Sequence, residues 1–157
     1  MDVVVQGGGE FREVARRLKK AGERDLLSDL RKTVRKDAQK IVTAQKRQVR
    51  SLPARGGKHT GLRTKTAGAV RLSVRSVGGD AGVRISVVDP PGLKNMPAHL
   101  NTGHWRHKVF GNKKLWVSQS VPPGWFDKPR KDGAPNIRVG IKNVLDQISE
   151  EIAHGGV

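Results

Sequence analysis

Residues 25–53 read DLLSDLRKTVRKDAQKIVTAQKRQVRSLP. With successive residues turning through about 100°, Leu27, Leu30, Val34, Ala38, Ile41, Val49 and Leu52 fall on one apolar stripe. Gln45 interrupts that stripe, and Pro53 ends it, because proline lacks the N–H and clashes with the preceding turn. The pattern predicts a helix from about Asp25 to about Leu52, roughly 40 Å long at about 1.5 Å per residue. Its polar side is mostly basic. Lys36, Lys40, Arg47 and Arg50 project opposite the stripe, Lys32 lies close to them, and Arg35 and Lys46 lie on one flank. Such a face is either simply solvated or meets phosphate or an acidic neighbour.

Upstream, Phe11, Val14, Ala15 and Leu18 recur at helical spacing, which predicts a shorter helix from Glu10 to the Ala21-Gly22 stop. Residues 1–9 carry three valines and then Gly7-Gly8-Gly9, and are expected to be a flexible leader. No Gly-Lys pattern of the P-loop type follows those glycines, so they give only a weak suggestion of phosphate binding at a helix start.

Downstream, residues 54–68 (ARGGKHTGLRTKTAG) are basic and nearly free of apolar side chains, which predicts a mobile loop with one helical turn near Leu62. Val70, Leu72 and Val74 then alternate with polar residues, as do Val83, Ile85 and Val87, around Gly78-Gly79-Asp80. This pattern predicts a β-hairpin over 69–88 with one wet face. Pro90-Pro91-Gly92 ends it, and the chain to Gly103 reads as irregular. Val109-Phe110 and Leu115-Trp116-Val117 flank Gly111-Asn112-Lys113-Lys114, the composition of a second hairpin turn.

After Pro122-Pro123-Gly124, a last helix is expected to start between Asp127 and Pro135. Its apolar stripe is Ile137, Ile141, Val144, Leu145, Ile148 and Ile152, ended by Gly155-Gly156. The plan is one α+β domain spanning 1–157: two amino-terminal helices, one of them long, a small antiparallel sheet of about four strands, and a carboxy-terminal amphipathic helix.

The charge is large and uneven. Against 14 acids stand 31 Lys and Arg, a formal net charge of +17. Residues 1–52 hold net +7, 53–88 net +6, 89–127 net +3 and 128–157 net +1. The balance points to nucleic acid, an acidic protein or an anionic surface. Arg63, Lys65, Arg71 and Arg75 join the helix cations as assembly or phosphate-facing candidates. Cysteine is absent, which removes disulfides and thiolate metal sites and agrees with assembly in a reducing cytoplasm. No run of about 18 apolar residues suggests a membrane span.

The acids are scattered, and no nucleophile and base set stands out, so neither catalytic nor cofactor-binding residues are expected. His99, His104 and His107 form the densest titratable cluster, but no acid or cysteine completes a metal set beside them. They are read as packing or hydrogen-bonding groups, with no metal. Trp105, Trp116 and Trp125 lie within 21 positions, together with Phe110 and Phe126. Filling a core beneath the small sheet is the first reading, a subunit interface the next, and base stacking a third.

The stretch WRHKVFGNKKLWVSQSVPPGWF, residues 105–126, followed by an amphipathic helix, resembles the small neck and tail-completion (head–tail joining) proteins of long-tailed phages, actinobacteriophage type. The elements that carry the resemblance are Gly61-Leu62-Arg63, the 69–88 hairpin, Trp105-Arg106-His107, Val109-Phe110-Gly111, Trp116-Val117, Gln119, Pro122-Pro123 and Trp125-Phe126. Lys108 stands where many relatives have proline. The resemblance covers roughly residues 10–153. It implies a structural virion protein without reaction or cofactor, assembled in the host cytoplasm and placed in the neck or tail. It further implies a ring of copies, six rather than twelve, joining connector to tail tube, with connector, tail-terminator or tail-tube proteins as neighbours and non-specific double-stranded DNA in the lumen. A tail-terminator ring is the adjacent alternative, and a nonspecific nucleic-acid-binding protein the alternative from another class.

Overall fold

The long central helix organises the molecule, as its apolar stripe requires. In the computed structural model, which describes residues 2–4, 8–21, 24–53, 61–76, 82–109 and 112–155, the elements run β1 (Asp2–Val4), α1 (Gly8–Ala21), α2 (Arg24–Ser51), α3 (Leu62–Gly68), β2 (Val70–Arg75), β3 (Gly82–Val87), α4 (Met96–Thr102), β4 (His104–Val109), β5 (Asn112–Ser120) and α5 (Asp127–Gly155). Helix α2 buries Leu27, Leu30, Val34, Ala38, Ile41, Val42, Gln45 and Val49. It packs against α5, α3, α1 and the β2–β3 pair. Each buried Leu, Val or Ile contributes about 1.5–3 kcal/mol.

The α+β class and the expected helices hold, α2 within a residue of the expected limits at both ends. The strands, expected as one sheet of about four, divide into a three-stranded sheet in the order β1-β3-β2 and a separate two-stranded ribbon β4-β5, all antiparallel. In the first sheet Val70 pairs with Val87, Leu72 with Ile85 and Val74 with Val83, so these six side chains share one face. That face turns to α2, and Val70, Val83, Ile85 and Val87 are buried.

Three expectations are corrected. Residues 2–4, assigned to a flexible leader, form the edge strand β1, with Val3 opposite Ile85; a short β-branched run supplies a third strand to β3. Gly8 and Gly9 open α1 rather than precede it. The segment assigned to an irregular stretch before Gly103 contains α4. Asn95 at its start has φ +60°, Pro97 sits in its first turn, where a missing N–H costs nothing, and Gly103 ends it at φ +82°. Within the expected mobile loop 54–68, residues 62–68 form α3, and Thr66 and Ala67 are buried. Residues 54–60, the Gly78-Gly79-Asp80 turn, Phe110 and Gly111 lie outside the described residues.

Helix α5 starts at Asp127, the earliest point expected, and continues through Pro135. There the missing N–H removes one bond of the helical ladder. Two residues earlier, Gly133 lets the backbone of α5 lie directly on Ile41; a Cβ at this position would stand 2.7 Å from Ile41 Cδ1 and closer still to Cγ1. Gly140 likewise faces Asp37 and Thr33. Ile41 against Gly133 and Asp37 against Gly140 give α2 and α5 opposite directions, and Gln45 reaches the residue just before α5.

Candidate assembly surfaces

The exposed side of α2 carries Lys32, Arg35, Lys36, Lys40, Arg47 and Arg50, with Lys46 half-buried on the flank. The six exposed cations spread over about 27 Å of helix. Two have acidic partners one turn back: Lys32 Nζ donates to Asp29 at 2.9 Å and Lys40 Nζ to Asp37 at 2.7 Å. The hydrogen bond to Asp29, with its charge, holds the Lys32 ammonium above its ordinary pKa. Exposed pairs of this kind contribute little to stability, and they leave most of the basic face available.

The other basic candidates separate. Lys65 and Arg75 are exposed. Arg63 is half-buried, and its Nη1 donates to the Leu52 carbonyl just beyond α2, so it caps the helix end and ties α3 to it. Arg71, also exposed, donates to the Gly68 carbonyl at 2.5 Å and folds back on the end of α3. Arg31, absent from the predicted set, donates to Ser76 Oγ at 2.5 Å and pins the end of β2 to α2.

The three tryptophans take two different roles. Trp105 and Trp125 are core residues, and Phe126 meets Trp125 edge to face, centroids 5.5 Å apart. Trp125 Nε1 donates to the Pro97 carbonyl at 3.2 Å, the partner a buried indole requires. Trp116 is 52% exposed on β5, between exposed Leu115 and Val117. Its ring lies 5.8 Å from the Arg106 guanidinium and 5.5 Å from Lys108 Nζ.

Register explains this grouping. Lys108 pairs with Trp116 and Arg106 with Ser118, so Arg106, Lys108 and Trp116 share one face of the ribbon. Trp105 and Gln119, His107 and Val117 share the other. His104 and His107 therefore lie on opposite faces, while His99 sits exposed on α4. Among the described residues no group of three or more His, Cys, Asp or Glu is arranged to hold a metal. His107 Nδ1 lies 2.9 Å from the Lys108 carbonyl, a hydrogen-bonding contact, and Gln119 is half-buried.

The ribbon is anchored at its base by a residue that sequence reading missed. Asn101 Nδ2 donates to Asp127 Oδ2 at 2.6 Å, and its Oδ1 accepts from the backbone N–H of Phe126 at 3.0 Å. Its carbonyl accepts from the Gly124 N–H at 2.8 Å. Beside it the Gly103 carbonyl accepts from the Val121 N–H at 2.9 Å, and a Cβ on Gly103 would stand 2.6 Å from the Val121 carbonyl oxygen. Asn101 thus joins the end of α4, the turn after β5 and the first residue of α5. Periodicity carries no signal for such a residue, because its partners lie 23 to 26 positions away.

Gln45, the one break in the α2 stripe, is fully buried and donates Nε2 to the Phe126 carbonyl at 2.8 Å. It links the middle of α2 to the start of α5.

No protein-family model matches this chain, and no curated protein or solved structure matches it either.

Proposed function

We propose that this chain is a structural virion protein of the neck or head-proximal tail end of a long-tailed phage. Copies form a ring that joins connector to tail tube and lets DNA pass, without reaction or cofactor. The observation that carries this reading is the disposition of residues 105–126, the stretch that resembles phage tail-completion proteins. It combines an exposed, basic ribbon bearing Leu115, Trp116 and Val117 with a buried Trp125-Phe126 anchor. A lone two-stranded ribbon is marginal in water, and exposed apolar residues in a row mark a contact surface.

Two surfaces suit neighbours in such an assembly: the ribbon, and the basic face of α2, which suits an acidic neighbouring protein. A ring of copies requires heterologous contacts that close, so each copy must also offer a second surface that differs from the first. Acidic faces of connector, tail-terminator or tail-tube proteins are the main partners of the +17 charge. Duplex DNA in the lumen is a looser partner, since tight phosphate binding would impede its passage. The tail-terminator position is an adjacent job for the same architecture. The exposed cations along α2 also favour a second reading, a nonspecific nucleic-acid-binding protein.

Light scattering at low and high salt separates these readings, with the chain alone, with connector or tail proteins, and with duplex DNA. Closed rings formed with a connector or tail partner, and no DNA binding at physiological salt, support the virion reading. Tight, salt-sensitive DNA binding without ring or partner overturns it.

A further inference from the structure

Charge along the chain changes sign where the structure gives that change a geometric meaning. The ribbon segment 104–120 holds four Lys and Arg and no acid. In α5, residues 127–142 hold net +3, whereas residues 143–157 contain Asp146, Glu150 and Glu151 and no Lys or Arg, net −3. Asp146 and Glu150 are exposed, on the side of α5 away from Val144 and Leu145, which pack on the core. One surface is therefore a basic ribbon bearing exposed apolar residues, and the other is the acidic end of α5.

These two surfaces cannot meet within one chain. Helix α5 begins at the ribbon's base, where Asp127 bonds to Asn101, and Asp146 lies about 28 Å further along the helix axis. We propose that the β4–β5 ribbon of one copy docks on the acidic carboxy-terminal part of α5 of the next copy, head to tail. In this contact the ribbon face that carries Arg106, Lys108 and Trp116 meets Asp146 and Glu150. This inference rests on the ring reading and names its intersubunit contact. The occupant is a second copy because the complementary charge is on this chain. The contact also lowers the self-repulsion of a chain of +17, since it places basic ribbon side chains against acids near the end of α5.

The test uses two full-length variants, Arg106→Glu/Lys108→Glu on the ribbon and Asp146→Lys/Glu150→Lys on the helix, studied by sedimentation over a range of concentration and salt. The wild-type chain is expected to self-associate more weakly as salt rises, because exposed pairs are screened. Each variant alone is expected to associate at least tenfold more weakly than wild type, since like charges then face each other across the contact. An equimolar mixture of the two restores association, because an acidic ribbon meets a basic helix end and a basic ribbon meets an acidic one. That restoration also shows that both variants are folded.

Association of either variant at the wild-type level, a mixture that stays monomeric, a wild-type chain monomeric at every concentration, or association that appears only with added DNA overturns the proposal. The ring reading is judged separately with connector or tail proteins. Rings that form there with both variants as they do with wild type leave that reading standing and remove this contact, whereas no ring with any chain removes the reading itself.

Discussion

Replacing Gly133 by alanine tests the α2–α5 contact more sharply than any truncation of the core. In an isolated helix the change stabilises by about 0.5–1 kcal/mol, because glycine carries the larger entropy loss on folding. Here the added methyl would stand 2.7 Å from Ile41 Cδ1 and closer to Cγ1, inside a side chain that is 3% exposed. Neither helix can yield without moving its neighbours, and overpacking of this kind costs about 1–3 kcal/mol. The balance is a net loss of about 0.5–2 kcal/mol, read as a lowered midpoint in urea with an unchanged slope. Ile41→Ala alone costs about 2–4 kcal/mol by leaving a cavity. The double variant should cost less than the sum, by about 1–2 kcal/mol, because the new methyl occupies part of the space vacated. The partner substitution Gly140→Ala meets only the terminal oxygen of Asp37, which can swing aside, so it should be neutral or stabilising by up to about 1 kcal/mol. Equal stabilisation at both glycines would refute the packing.

Gly103→Ala should lower the midpoint strongly, by roughly 2 kcal/mol or more, because φ is +82° and the added Cβ strikes the Val121 carbonyl oxygen. Asn101→Ala should cost about 1–3 kcal/mol, since it strips the partners from Asp127 Oδ2 and the Phe126 N–H. Gln45→Glu places a carboxylate against the Phe126 carbonyl in a fully buried site, costing about 3 kcal/mol or more at neutral pH. Burial raises the folded pKa of such an acid, so the loss should shrink as pH falls and the neutral acid regains a donor, which unfolding curves between neutral and acid pH will show. Trp105→Ala should cost about 3 kcal/mol, and Trp116→Ala under about 1 kcal/mol, because only the first is buried.

Helix α2 was legible because its stripe is long and regular, and its one irregular position, Gln45, is the residue that hydrogen-bonds across to the start of α5. The β2–β3 pair was legible for the same reason, since alternation over six residues fixes which face is buried. The division of the strands into two sheets was not legible. Both hairpins alternate in the same way, and only tertiary packing leaves the outer part of β4–β5 unpaired to β2–β3. Helix α4 was hidden because Pro97, Asn101 and Gly103 look like loop residues, yet each serves the helix: proline in its first turn, asparagine as a bridge, glycine at its end. Of the basic candidates, composition could not tell Arg63, spent on the Leu52 carbonyl, from Lys65, which is exposed.

A ring demands more than two complementary surfaces; it demands a fixed angle between them, because a head-to-tail contact with a loose angle yields open chains. In this chain the two proposed surfaces, the ribbon and the far end of α5, are joined through one short junction. Asn101 bonds to the first residue of α5 and to the turn that follows β5. Gly103 closes the base of the ribbon on Val121, and Gln45 holds the Phe126 carbonyl against the middle of α2. These bonds fix the ribbon's base to α5 and α5 to the core, so the angle between the surfaces is set by buried and part-buried hydrogen bonds rather than by a flexible linker. If copies close into the proposed ring, a substitution at Asn101 should disturb that closure at temperatures where the chain is still folded, giving open or heterogeneous oligomers while single-copy unfolding remains cooperative. Substitutions at Arg106 and Lys108 should instead abolish the contact and leave monomers.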